Sequence, residues 1–291
     1  RAVIVAAALG ALHGAVFSPP LDCWWLQTAL LAGLVVLLRR PECAGPARAA
    51  LTAGAFGIGW FGTGVYWVHV SMHDYGGMPW AIAAIALVLF AALLGSFPAA
   101  AAAVWSRLGS GNAPLRSTAA TTHSVGASLA RAAGFAGCWG AAEMLRGSVF
   151  TGFPWLAAGY AHVDGPLAGY APWAGVYGIC IAAALVSALL AEATAPRAER
   201  AGPRPAGRLA LAAAALTVLM LGAFLRTAEL TAPAGEPVRV RLLQGNVPQA
   251  LKFDGARAAA AMADYTRLAE SGGAQLTVLP ETAWVMPWAF T

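Results

Sequence analysis

Apolar residues in this chain run in long unbroken blocks rather than alternating. The blocks approach the length of a bilayer-crossing helix, for which about 20 residues at about 1.5 Å rise suffice. Seven of them stand at about 2–17, 21–38, 49–70, 81–105, 132–150, 173–191 and 209–225. They predict a mainly α-helical, polytopic transmembrane bundle of about seven spans. The first block is short and starts at Arg1, so it reads as a trimmed helix or as the apolar part of a signal peptide; the Ser18-Pro19-Pro20 turn that leads straight into the second block favours the helix. After Ala232 the pattern changes. Residues 238–243 alternate valine or leucine with arginine, as a strand does. Asp254 is placed to cap an alanine-rich helix over 256–270, Gly272-Gly273 stops it, and 276–279 is a short buried strand ending at Pro280-Glu281. The chain thus divides into a helical membrane domain, 1–231, and the opening of an α/β layered domain, 232–291.

Composition strengthens the membrane reading. Of 291 residues, 59% are hydrophobic and only 11% charged, and mean hydropathy is +0.65. A soluble domain carries about 25% charged residues. Charge also orients the bundle, because Lys and Arg in short loops stay on the cytoplasmic side. Arg1, then Arg39, Arg40 and Arg48, then Arg107, Arg116 and Arg131, then Arg197, Arg200, Arg204 and Arg208 fall on one side, and the alternate loops hold only Arg146 before the seventh span. The N-terminus is then cytoplasmic, and everything after Arg226 is on the outer side. Basic residues spread in this way account for the isoelectric point of about 9.3 without nucleic acid. Cys23, Cys43, Cys138 and Cys180 lie in or beside different spans with no CxxC pair, so neither a disulfide framework nor a zinc site is expected.

Two outer loops carry unusual chemistry. The first, 71–80, holds His73, Asp74, Tyr75 and Gly76-Gly77, and His69 lies one helical turn before it. His69 and His73 share a helical face, but no third strong ligand is near and no metal site is assigned. The second loop, 151–172, lacks Lys and Arg and holds Phe153, Pro154, Trp155, Tyr160 and Tyr170. Its aromatics suit either an interfacial belt or a lipid-binding surface. Glu143 and Arg146, three apart at the outer end of the fifth span, read as a mutually neutralising pair, because ionisable groups at membrane depth need partners. The pair is placed either to hold structure or to position a lipid headgroup.

The stretches FGTGVYWVHVSMHDYGGMPW from Phe61, EMLRGSVFTGFPWLAAGYAHVDGPLAGYAPWAGVYG from Glu143, LLQGNVPQALKFD from Leu242 and LPETA from Leu279 resemble the bacterial apolipoprotein N-acyltransferases. The RG, TGFPW, DGPL, QGNVPQ and PETA elements stand in that family's order. The resemblance implies a membrane bundle joined to a periplasmic nitrilase-like domain of αββα build, in the bacterial inner membrane. It also implies a reaction without a cofactor: an acyl chain moves from a phospholipid to the α-amino group of the diacylglyceryl cysteine of an apolipoprotein, through a thioester on the enzyme. By the same resemblance Glu281 is the general base that deprotonates a cysteine, while Glu143, Arg146, Phe153, Pro154 and Trp155 line the lipid substrate's site. The family's cysteine and oxyanion lysine lie beyond the PETA element. Lys252, the single lysine, matches a different stretch. The alternative from another class is a non-catalytic membrane anchor that positions a partner enzyme such as a polyprenol-phosphate mannosyltransferase. A small-solute transporter is disfavoured by the few ionisable residues within the spans.

Overall fold

Gly10 and Gly59 bring two helix backbones into contact that any side chain would hold apart. A Cβ at Gly10 would lie 1.9 Å from the Phe56 carbonyl oxygen, and one at Gly59 would lie 2.1 Å from that of Ala7. This seam joins α1 (Ala2–Ala15) to α3 (Pro46–Gly64). A second seam sets Gly57 against Gly95 and Pro98 and joins α3 to α5 (Trp80–Arg107). Small residues at membrane helix contacts let backbones approach so that dispersion replaces the hydrophobic drive that lipid does not supply. Between the helices lies a core of Leu, Ala, Phe and Trp side chains.

The computed structural model describes residues 1–108, 124–194, 205–248, 255–281 and 283, side chains at 255 and 256 excepted. Asp254, Lys252, Arg116, Arg197, Arg200 and Arg204 lie outside the described residues. The chain divides into two compact units, Arg1–Leu230 and Thr231–Thr291. In the first, α2 is Trp24–Leu38, a short α4 (Trp67–Val70) runs into a π-helical turn at Ser71–Tyr75, and α6 (Val125–Arg146), α7 (Ala171–Thr194) and α8 (Pro205–Leu225) follow. Ser124 starts α6 by accepting the Ala127 N–H at 3.1 Å. Helix α7 packs on α2, α6 and α8, and α5 packs on α3 and α6.

Three helical segments among the described residues are long and apolar enough to cross a membrane by themselves: Trp80–Arg107, Pro166–Thr194 and Pro205–Leu225. Helices α1 and α2 are apolar but short, and 14 residues reach only about 21 Å. The apolar block 49–70 is not one helix, because α3 ends at Gly64, where the Leu156 side chain is packed against the glycine. The block 132–150 ends early too. Helix α6 stops at Arg146, and the backbone turns back through Phe150 and Thr151 at positive φ.

At one end of the bundle Glu192, in the last turn of α7, is buried and ties α7 to α6 and to the end of α2. Arg131 of α6 donates to it twice, Nε to Oε1 at 3.1 Å and Nη2 to Oε2 at 2.7 Å, and Arg39 beyond α2 lies 3.4 Å from Oε1. Paired so, the carboxylate does not stand as a lone charge in an apolar interior.

In the second unit β1 (Val240–Leu242) and β2 (Leu276–Val278) pair in parallel, with Arg241 opposite Thr277, and α9 (Gly255–Glu270) connects them. A parallel pair needs such a crossover. Leu243, Tyr265 and Ala283 form its small core, and Tyr265 Oη accepts the Gly245 N–H at 3.1 Å.

The glycine seam makes a direct prediction. Gly59→Ala forces α1 and α3 apart and should destabilise by about 1–3 kcal/mol. Gly62→Ala, on the same helix with nothing within 4 Å of the new Cβ, should be neutral or slightly stabilising. Thermal unfolding of both variants in detergent checks this; equal midpoints would mean that the seam carries no weight.

Candidate functional site

Residues 143 and 146 lie on one face of the last turn of α6, and that face is turned inward. The two side chains are 3% and 1% exposed, and Arg146 Nη2 donates to Glu143 Oε2 at 2.6 Å. Burying such a pair requires that its remaining donors and acceptors be met. They are met by the chain that follows. Arg146 Nη1 donates to the carbonyl oxygens of Phe153 and, at 2.9 Å, Trp155. The Arg146 carbonyl accepts the Phe153 N–H at 2.8 Å, and Glu143 Oε1 accepts the Ala158 N–H at 3.2 Å. The guanidinium also lies over two ring faces, 5.1 Å from the centroid of Phe61 and 5.8 Å from that of Trp60.

To reach these contacts the backbone reverses within a few residues. Phe150, Thr151, Gly152 and Leu156 all have positive φ, at 54°, 72°, 80° and 61°. Non-glycine residues in that region are strained, and such strain persists where surrounding bonds over-determine the path. Farther along, the loop is pinned again. His162 is buried and hydrogen-bonds Gln27 Oε1 through Nε2 at 2.9 Å, and Arg226 Nη1 donates to the carbonyls of Asp164 and Gly165 at 3.2 and 3.0 Å. Burial lowers the His162 pKa to about 4, so the ring is neutral at pH 7 and its Nε2–H is the donor to Gln27.

A loop held so firmly presents its remaining side chains in fixed positions. Phe153 stacks on Trp155, 5.2 Å between centroids at 26°, and meets Phe90 of α5 edge-on at 5.0 Å. Pro154 between them is half-buried. Trp155 is 55% exposed and Phe150 is 91% exposed. Tyr160 and Val163 are exposed as well, and the residues from 147 to 163 include no Asp, Glu, Lys or Arg, while His162 is buried. The surface is thus aromatic and uncharged, which suits an interfacial belt and a lipid-binding surface alike. The sequence pointed to Trp155, but Phe150 was lost inside the span over 132–150.

Of the expected site residues, the structure brings Glu143, Arg146, Phe153, Pro154 and Trp155 together. Glu143 and Arg146 are turned inward, so they act on the aromatic surface by holding its backbone. In α4, His69 is buried between Tyr66 and Trp80, its ring 5.8 Å from that of His73, and His73 Nδ1 donates to the Met78 carbonyl at 2.8 Å. No group of three His, Cys, Asp or Glu side chains that could hold a metal occurs among the described residues.

Glu281 belongs to the second unit. It follows β2 by three residues, lies in a turn closed by the Ala283 N–H to the Pro280 carbonyl at 3.1 Å, and is exposed. Gly245 and Asn246 follow β1. Because the strands are parallel, both segments leave the same carboxyl edge of the sheet, where open α/β sheets place their ligands.

Comparison with known proteins bears on both units. The sequence profile of the apolipoprotein N-acyltransferase N-terminal domain matches residues 9–189. The apolipoprotein N-acyltransferase of Ralstonia nicotianae is 44% identical over 281 residues, which are 96% of this chain and 49% of that protein. Those of Bordetella bronchiseptica and Pseudomonas putida are 39% and 38% identical over 97% and 91% of this chain, and 52% and 48% of their own lengths. The chain therefore spans about half the length of the curated relatives it matches.

The clamp is tested by removing one side of it. Arg146→Met strands a buried carboxylate and two carbonyls and should destabilise by about 3–5 kcal/mol. The double variant Glu143→Leu/Arg146→Met should recover part of that loss. A double-mutant cycle on unfolding in detergent measures the coupling, and additive losses would refute the clamp.

Proposed function

This chain belongs to the apolipoprotein N-acyltransferase N-terminal domain family, and from that premise we propose that it is the membrane bundle and first part of the catalytic domain of an enzyme that N-acylates lipoproteins. The donor is a membrane phospholipid, the acceptor the α-amino group of a diacylglyceryl apolipoprotein, and the second unit opens a nitrilase-like αββα domain over 232–291. The observation that carries the reading is the position of Glu281, a carboxylate set just past a strand on the carboxyl edge of a parallel sheet.

In this mechanism Glu281 takes the thiol proton of a cysteine supplied from outside the present chain. The thiolate attacks the phospholipid ester carbonyl, and a lysine, also from outside the chain, stabilises the oxyanion. The carbon–oxygen bond breaks, the lysophospholipid oxygen takes back the proton, and the acyl group stays on sulfur. The acceptor amine then attacks the thioester, Glu281 takes the proton that the nitrogen loses and passes it to the departing sulfur, and the amide forms as the thiol is regenerated. The loop around Phe153, Pro154 and Trp155, held by Glu143 and Arg146, is where the donor lipid meets the bundle.

The helices α1, α2, α3, α5, α6, α7 and α8 cross the inner membrane in this reading, with the N-terminus cytoplasmic and the second unit outside. What supports it is the segregation of side chains. Arg39, Arg131 and Glu192 gather at one end of the bundle, and the uncharged aromatic loop follows the opposite end of α6. Alkaline phosphatase fused after Gln249 should be active and a fusion after Arg204 silent. The reverse pattern would overturn the orientation.

The catalytic assignment is tested in the full-length protein with its native continuation. Wild type should form a hydroxylamine-sensitive acyl-enzyme with phospholipid, and Glu281→Gln, which keeps shape but cannot accept the proton, should slow its formation by about 10²- to 10⁴-fold. Glu270→Gln, at the end of α9, should change little. An acylation rate unaltered by Glu281→Gln would remove Glu281 from the mechanism and favour the anchor.

A further inference from the structure

Trp60 of α3 and Trp139 of α6 stack nearly parallel in the bundle interior, with 5.9 Å between ring centroids and 9° between planes. They are 1% and 2% exposed. An indole has one polar group, an N–H that donates and cannot accept. Neither Trp60 Nε1 nor Trp139 Nε1 meets an acceptor among the described residues, which is rare for a buried donor. Trp105, in the same row of rings and equally buried, does find one, donating to the Arg131 carbonyl at 3.1 Å. The two unmet donors are therefore a feature of their own location.

Both rings line one cleft, together with Phe97, Pro98, Ala142, Glu143 and Arg146. Its free space holds about one water-sized atom group. The polar walls add no obvious partner for an N–H. Arg146 has donors only, and the Glu143 oxygens, which accept from Arg146 and from the Ala158 N–H, receive neither indole N–H. What fits is an acceptor, it is small, and it is neutral. Glu143 balances the charge of Arg146 and the other walls are apolar, so an anion would be buried without a counter-charge, and a phosphate is too large for the space.

We infer that the cleft between Trp60, Trp139 and Arg146 is a binding site for one uncharged oxygen acceptor, either the ester carbonyl of a membrane phospholipid or an ordered water. The two sources share their chemistry: one oxygen with two lone pairs can receive both indole N–H groups. The site lies beneath the residues that clamp the aromatic loop, and its occupation does not depend on acyl transfer, so this inference and the proposed activity can fail separately.

The test uses full-length protein, labelled with ¹⁵N in its tryptophan indoles, in nanodiscs of ester-linked phosphatidylethanolamine and, separately, of its ether-linked dialkyl analogue. The resonances absent from Trp60→Phe and Trp139→Phe spectra identify the two N–H groups. Contact of each indole proton with Phe97 ring protons identifies them independently if a variant does not fold. Both protons should resonate at hydrogen-bonded, downfield positions in the ester lipid. Loss of that shift in the ether lipid assigns the oxygen to the lipid ester. Retention of it, with exchange cross-peaks to solvent, assigns it to water. Two protons at the position of free indoles in both lipids would overturn the site.

Discussion

The end of the bundle where α6 stops depends on one buried ion pair. Taking a carboxylate and a guanidinium out of water carries a penalty of several kcal/mol per ion, and their mutual attraction offsets it only when every remaining polar group is bonded. Glu143 and Arg146 draw that bonding from the chain just beyond their own helix, at Phe153, Trp155 and Ala158. The dependence is mutual. Without the pair, the carbonyls of Phe153 and Trp155 would enter an apolar interior with no donor, which is itself unfavourable by about 1–3 kcal/mol each. The pair thus makes an irregular segment tolerable in an apolar interior, where unbonded backbone is otherwise unfavourable.

The same bonds account for the strain and for what it exposes. Three non-glycine residues with positive φ in one short loop represent about 1–3 kcal/mol apiece. Sending the chain straight on from α6 would avoid that, but it would point the carbonyls of 153 and 155 away from Arg146. The reversal faces them inward, and the side chains at 150 and 155 are turned out as a result. An exposed Phe150 is unfavourable in water. Burial of such a ring against an apolar partner returns about 1.5–3 kcal/mol, comparable to the strain at its own residue, and the proposed lipid contact would supply that partner.

How much of this was legible in the sequence follows from the range of each interaction. The Glu143–Arg146 pairing could be read because i,i+3 spacing alone puts both groups on one face, and the strand–helix–strand order of the second unit because it rests on local periodicity and a Gly-Gly stop. The end of α6 was not legible. Ser148, Val149 and Phe150 look like helix, and what ends the helix at Arg146 is the reversed loop that its side chain holds. Nor was the break in the block 49–70, because Gly64 is forced by Leu156, 92 positions later in the chain by subtraction of the two numbers. The His162–Gln27 bond, 135 residues apart, and the stacked Trp60 and Trp139 exist only once the helices are packed. A tryptophan reads as apolar core in sequence. Whether its N–H has a partner is a property of three dimensions.

The carboxylates also explain why the proposed chemistry belongs to the second unit. In the bundle, Glu143 and Glu192 are 3% and 2% exposed, and each is bound to arginine. An apolar interior leaves a carboxylate two choices, to pair or to take up a proton, and either one removes it from service as a base. A base must release and regain a proton in each turnover, so it needs solvation or mobile partners, with a backbone rigid enough to aim it. Glu281 has that setting, exposed at the end of a hydrogen-bonded strand in a closed turn. In the proposed reaction the bundle brings a lipid ester against its aromatic rings, and the proton transfers that cleave it fall to Glu281, a carboxylate exposed in the α/β layer of the second unit.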